Sequence, residues 1–168
     1  MTVELDVVPA TERDLTQLRT DPDAFARDRG WRLETGWNEF PGALEDSLAM
    51  LAEGVPAEWG TQLFVDRAAA VVAGMGGFKG APHDGAVEIG YQLAPTYRGR
   101  GLATGAVHVM VDRARQVGVH LVRAHTLPGP NPSTAVLERV GFRHASTVED
   151  PGDGPVWRWE LDLGTDVT

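Results

Sequence analysis

The chain has 168 residues, 42% hydrophobic and 23% charged, which suits one folded domain and excludes disorder and fibre. A net charge of −9 argues against nucleic acid, whose phosphates need a basic face; it favours cationic partners such as amines, or serves solubility alone. Cysteine is absent, no apolar run approaches the ~18–20 residues of a membrane span, and Met1 to Ala10 does not read as a signal peptide, so disulfides and membrane insertion are not expected and the cytoplasm is the expected location.

No repeat or linker interrupts the chain, so residues 1–168 read as one domain. Val3 to Val8 alternate like a strand. Thr11 reads as an N-cap with Glu12 and Asp14 in the first turn, opening a helix to about Arg19; Pro22 reopens one through Phe25. Gly36 to Gly42 reads as a loop. Pro41 then starts a helix with Leu44, Leu48 and Leu51 on one face, ended by Gly54. Strands follow near Gln62–Asp66 and Ala70–Phe78, then a turn at Pro82-His83-Asp84-Gly85. In Val87 to Leu93, residues 87, 89, 91 and 93 form the apolar face, and Glu88, Gly90 and Gln92 the other. The helix after Gly101 carries apolar residues at 102, 106, 107, 110, 111, 114 and 117, with His108 on its polar stripe. Val119 to Thr126 reads as a strand and Asn131-Pro132 as a helix start. Strands near Phe142–Val148 and Pro155–Leu163 complete a mixed α/β domain.

The segment Arg98-Gly99-Arg100-Gly101-Leu102-Ala103 joins a strand to a helix. Its glycines allow a tight turn that exposes backbone N–H groups. The first N–H groups of a helix lack internal partners and carry the positive end of the dipole, so they suit a pyrophosphate. No Gly-x4-Gly-Lys-Ser/Thr run is present, which removes a P-loop. A dinucleotide fingerprint would need Gly or Ala where Thr104 stands, and an acidic residue where the chain has Val122-Arg123-Ala124-His125.

Arg98, Gly101 and Ala103 match the pattern Arg/Gln-x-x-Gly-x-Gly/Ala, and the segment resembles the signature of the GNAT superfamily of N-acetyltransferases. The strand Val87 to Leu93, the helix start Asn131-x-Ser133 and the run Leu137-Glu138-Arg139-Val140-Gly141-Phe142 are similar to that superfamily too, most of all to its ribosomal-protein N-terminal acetyltransferase branch. The resemblance implies a central, mostly antiparallel twisted sheet flanked by helices, and acetyl transfer from acetyl-CoA to an amine of a small molecule or polypeptide N-terminus. It implies that the strand at Leu93 pairs with the pantetheine arm, that Arg98, Gly99, Arg100, Gly101, Leu102, Ala103 and Thr104 hold the pyrophosphate, and that Asn131 and Ser133 touch the far side of the cofactor. Relatives are often dimers, so a homodimer is allowed. A CoA-binding sensor without turnover is the alternative.

The chemistry needs a neutral amine, a donor to the oxyanion and a proton or partner for the thiolate. Freeing a lysine amine at pH 7 costs roughly 4–5 kcal/mol, an α-amino group only about 1–1.5 kcal/mol. Glu88 is the candidate base, on a strand face left open by Gly90 and Gln92; it also reads as a solvated glutamate. The tyrosine that many relatives use as acid is replaced by Leu137. Ser133 is the substitute, unless it only bonds the helix start. Trp37 and Phe40, with Trp31, either wall the acceptor site or pack the core. Trp157 and Trp159 read as core or dimer-contact residues. Histidines at 83, 108, 120, 125 and 144 show no ligand spacing, so no metal is expected; His125 reads as structural or facing the cleft. No Gly-x-Ser-x-Gly elbow supports a hydrolase.

Overall fold

A computed structural model describes residues 3–40 and 42–164. The elements run β1 (Leu5–Pro9), α1 (Glu12–Thr20), α2 (Pro22–Arg29), β2 (Arg32–Leu33), α3 (Gly42–Ala52), β3 (Thr61–Asp66), β4 (Val71–Phe78) and β5 (Ala86–Leu93). Then come α4 (Leu102–Gln116), β6 (Leu121–Thr126), α5 (Pro132–Val140), β7 (Arg143–Asp150) and β8 (Gly154–Asp162). One sheet orders its strands β1-β3-β4-β5-β6-β8-β7, with the short β2 beside β4. Pairing is antiparallel except for β2–β4 and β5–β6. The β5–β6 pair is parallel because α4 carries the chain back across the sheet before β6 begins. The expected mostly antiparallel sheet with flanking helices is therefore present.

Two apolar cores lie on opposite faces. On one, Leu102, Ala106, Val107, Met110, Val111 and Ala114 of α4 pack against Val87, Ile89, Val122, Ala124 and Trp159. On the other, Leu15, Leu18, Phe25 and Leu44 cover Leu63, Val65, Val72 and Met75. Thr11 caps α1 reciprocally with Asp14: Asp14 N–H donates to Thr11 Oγ1 (3.1 Å) and Thr11 N–H to Asp14 Oδ2 (3.0 Å). α2 runs one turn beyond Phe25, and this brings Arg29 to Asp14 at 2.5 Å.

Some expected boundaries move. Pro41, the expected start of α3, lies outside the described residues. β2 carries no sequence signal of its own, since two residues gain strand geometry only from β4. Val117, placed on the apolar face of α4, is 59% exposed. The helix stops at Gln116, and Gly118 turns left-handed (φ 83°). Gly118 N–H then bonds Arg115 O, and Val119 N–H bonds Ala114 O. This closure buries Val119 instead of Val117, so β6 starts at Leu121 rather than Val119. Trp159 is core, its Nε1 donating to Thr126 Oγ1 (3.0 Å), while half-buried Trp157 stacks on His144 at 4.2 Å.

Candidate active site

The sheet opens between β5 and β6. Their pairing covers only Ala86–Ile89 against Leu121–Ala124. Beyond that, β5 stays with β4 to Leu93, and β6 stays with β8 to Thr126. Glu88 O accepts from Lys79 N on the β4 side. An antiparallel ladder alternates, so the main-chain groups of Tyr91 and Leu93 point into the opening. Close approach of β4 to β5 needs the glycines of β4: a Cβ on Gly74 would stand 2.3 Å from Gln92 O, and one on Gly76 2.5 Å from Gly90 O.

The loop after β5 forms the mouth. Its root is fixed by Tyr97, whose buried hydroxyl donates to Asp66 Oδ2 (2.9 Å). Gly99 and Gly101 take left-handed φ values of 76° and 74°, and a Cβ on either would meet nothing within 4 Å. Gly101 caps α4 with no side-chain hydrogen bond, so the first N–H groups of α4 have no capping partner among the described residues. Their free donors and the positive end of the dipole fit an anion. Thr104 Oγ1, in the same first turn, is buried without a partner. Both arginines of the loop bond to protein oxygens. Arg98 turns back, donating from Nε to Leu93 O (2.9 Å) and from Nη2 to Glu39 (3.0 Å). Arg100 donates to Thr96 O (2.7 Å) and lies over the Tyr97 ring. Both shape the loop that presents the backbone.

Across the mouth stands α5. Asn131 caps it: Oδ1 accepts from Thr134 N–H (3.0 Å), and Nδ2 donates to Leu127 O and Gly129 O (both 3.1 Å). With both amide hydrogens used, Asn131 builds the 127–131 turn. Ser133 takes no part in that capping. Its carbonyl accepts from Tyr91 Oη at 2.9 Å, a bond that bridges the opening from β5 to α5. Burial raises the Tyr91 pKa, more than the Ser133 bond lowers it, so the phenol stays protonated. The sequence reading put Tyr91 only on the apolar face and missed this hydroxyl.

Glu88 lies on the opposite face of β5, its side chain 29% exposed. Lys79 Nζ donates to its Oε1 (2.9 Å), and His125 Nδ1 meets the same oxygen at 2.7 Å. Burial alone would raise the carboxyl pKa, but Lys79 and then His125 outweigh it and hold it below its ordinary value. No described residue donates to Oε2. His125 is thus beside the candidate base, and the alternation of Leu121 to Thr126, with Arg123 and His125 on the polar side, was the signal for it.

The 34–40 loop reaches this face. Trp37 O accepts from Gln92 Nε2, and Gly36 packs on Pro95. The Trp37 ring packs partly buried against the second core, as does Trp31, while Phe40 is 53% exposed. Among the described residues, no cluster of three or more His, Cys, Asp or Glu side chains could hold a metal ion, and no helix is long and apolar enough to cross a membrane.

Fold and site together are those of an acyltransferase domain. The chain belongs to the GNAT acetyltransferase family: the acetyltransferase (GNAT) domain profile matches residues 4–143. Among solved structures it is similar to Mycobacterium smegmatis RimJ in complex with CoA-disulfide (19% identity, 97% of this chain and 86% of that chain covered, TM-score 0.66). It is also similar to the ribosomal-protein-S5-alanine acetyltransferase of Vibrio fischeri (17%, 96% and 94%, TM-score 0.68). A third is the microcin C7 self-immunity acetyltransferase MccE in complex with acetyl-CoA and AMP (14%, 95% and 93%, TM-score 0.66). At these identities the likeness is one of fold. No curated protein matches the chain.

Proposed function

We propose that this chain is an acetyl-CoA-dependent N-acetyltransferase acting on a primary amine of a small molecule or a polypeptide N-terminus. The observation that carries the reading is the uncapped start of α4, set by two left-handed glycines at the mouth of the β5–β6 opening. CoA and acetyl-CoA in two fold neighbours support it.

The backbone from Arg98 to Thr104 would hold the pyrophosphate. The main-chain edge at Tyr91 and Leu93, where the Leu93 carbonyl already accepts from Arg98, would pair with the pantetheine amides, and Asn131 and Ser133 wall the far side. Acetyl-CoA supplies an acetyl group activated as a thioester. Glu88 receives the amine proton, directly or through one water, at the Oε2 that nothing else occupies. Trp37 and Phe40 border the acceptor side of the same face. The hydroxyls of Tyr91 and Ser133 are the donors near the opening. A phenol kept protonated by burial can turn from the Ser133 carbonyl to a departing thiolate. Tyr91→Phe is therefore expected to lower kcat by roughly ten- to a hundredfold. Full kcat in Ser133→Ala would leave donation to Tyr91 alone.

A thiol-release assay with acetyl-CoA against peptides, polyamines, aminoglycosides and amino acids, run beside a CoA thermal-shift titration, tests the whole reading. Protection by CoA and release with an amine are expected. Protection without release from any amine would make the chain a binding module without turnover. Absence of protection would end the cofactor assignment.

A further inference from the structure

Among the described residues, four arginines are half-buried: Arg29, Arg113, Arg123 and Arg158. Arg29 is paired with Asp14 and Arg123 with Glu160. Arg113 gives its terminal nitrogens to Gln62 Oε1 (3.0 Å) and Val7 O (2.6 Å). Arg158 differs. Its one hydrogen bond runs from Nε to His125 Nε2 (3.2 Å), and no described carboxylate lies within ion-pair distance. Arg113 also lacks a carboxylate, but its terminal nitrogens are bonded; those of Arg158 have no partner among the described residues, and leaving them so in a half-buried position is costly unless solvent or a ligand takes them.

Its position says what that is. Arg158 pairs with His125 across β6 and β8. On these strands Val122, Ala124 and Trp159 belong to the α4 core, so Arg123, His125, Arg158 and Glu160 occupy the other face, with Glu88. Helices α1 to α3 bury their core on β3 and β4 and leave this half of the face outside it. The donors run in one direction. Arg158 Nε–H bonds His125 Nε2, His125 Nδ1–H bonds Glu88 Oε1, and Lys79 bonds the same oxygen. A neutral imidazole with its proton on Nδ1 satisfies every link. Lys79 pairs with Glu88, and Asp150, which lies near Lys79 and His125, forms no ion pair with Arg158, so no described carboxylate takes up the terminal groups of Arg158. His125 fixes the guanidinium through Nε and leaves both terminal amino groups as a planar fork, the geometry that takes a carboxylate in two bonds.

We infer that the acceptor is an amine that also carries a carboxylate, with Arg158 seating the carboxylate while the amino group reaches Glu88. One guanidinium balances one negative charge, which favours a carboxylate over a doubly charged phosphate. Free amino acids and peptides with an acidic first residue both supply this chemistry. The inference rests on the N-acetyltransferase reading above.

The test uses matched acceptors in the thiol-release assay: 4-aminobutyrate against butylamine for the free-amine source, and an aspartyl peptide against its asparaginyl twin for the peptide source. The wild type is expected to prefer the carboxylate member of at least one pair in kcat/KM by about ten- to a hundredfold. Which pair shows it identifies the source. In Arg158→Gln that ratio should fall to about one, and in Arg158→Lys, which keeps charge without the fork, to an intermediate value. Protection by CoA in a thermal scan certifies that each variant is folded; if Arg158→Gln loses it, Arg158→Lys decides by itself. Turnover of amines with no preference in the wild type, or a preference that survives both substitutions, overturns this inference and leaves acetylation standing. No turnover of any amine removes both.

Discussion

Glu88→Gln is expected to lower kcat by about 10²- to 10⁴-fold while CoA still protects the protein against heat. Glutamine keeps the length and an oxygen for His125 Nδ1–H, so the site would lose the proposed proton acceptor and little of its shape. The candidate base is a carboxylate held below its ordinary value of 4.5 by Lys79 and His125 against the opposing effect of burial. The sign follows. A carboxyl with a lowered folded pKa stays charged above its ordinary value, and loses charge only as pH falls through the lower folded one. Glu88 is therefore ionised across the neutral range, and kcat/KM should climb with pH toward the pKa of the acceptor amine. No inflection is expected where free glutamates titrate. A lysine-like acceptor should keep climbing to about pH 10 and an α-amino acceptor level off near pH 8. The profile thus sorts acceptor classes while the substitution tests the base. Wild-type rates in Glu88→Gln would remove Glu88 from proton transfer.

Local pattern made some of this site legible and distant register hid the rest. The alternation of Val87 to Leu93 is a period-two signal that separates Glu88 from the core, and the structure keeps that separation. The helical period of residues 102 to 114 and the helix starts at Thr11 and Asn131 are equally local, and they stand. The Glu88–His125 contact joins residues 37 apart. It depends on how a parallel strand registers after a helical crossover, which no window of sequence encodes. Side-chain direction was hidden for a related reason. Arg98 and Arg100 read as cations for a phosphate because the loop is short and basic. In the folded loop the carbonyls of Leu93 and Thr96 each accept from one of these guanidiniums. Asn131 read as a cofactor contact, and its amide is spent on the turn it caps. The left-handed glycines of the loop were legible in the sequence, whereas the directions of these three side chains are set by carbonyls that no local pattern marks.

That contrast sets the second large effect. If the cradle is backbone, Gly99→Ala and Gly101→Ala should each weaken CoA binding by about tenfold, and together by up to about a hundredfold. Both residues need a left-handed φ, and each has open space where a Cβ would go, so the obstacle is conformational and not steric. A left-handed L-residue costs roughly 1–2 kcal/mol, and an unliganded loop escapes that cost by leaving the binding conformation. Apparent affinity falls with the population that remains competent. The same escape spares global stability, so apo Tm should change little. Gly105→Ala is the control. It sits inside α4 without a positive φ and with nothing near its Cβ, and alanine there should favour the helix by about 1 kcal/mol without touching CoA affinity. Arg100→Gln is the counter-test. Its guanidinium is bound to Thr96 O, so its loss should matter less than the methyl group on Gly101. A calorimetric titration in which Arg100→Gln costs more than Gly101→Ala would transfer the site from the amides to the charges. The salt dependence of CoA binding should then steepen with the number of side-chain cations engaged.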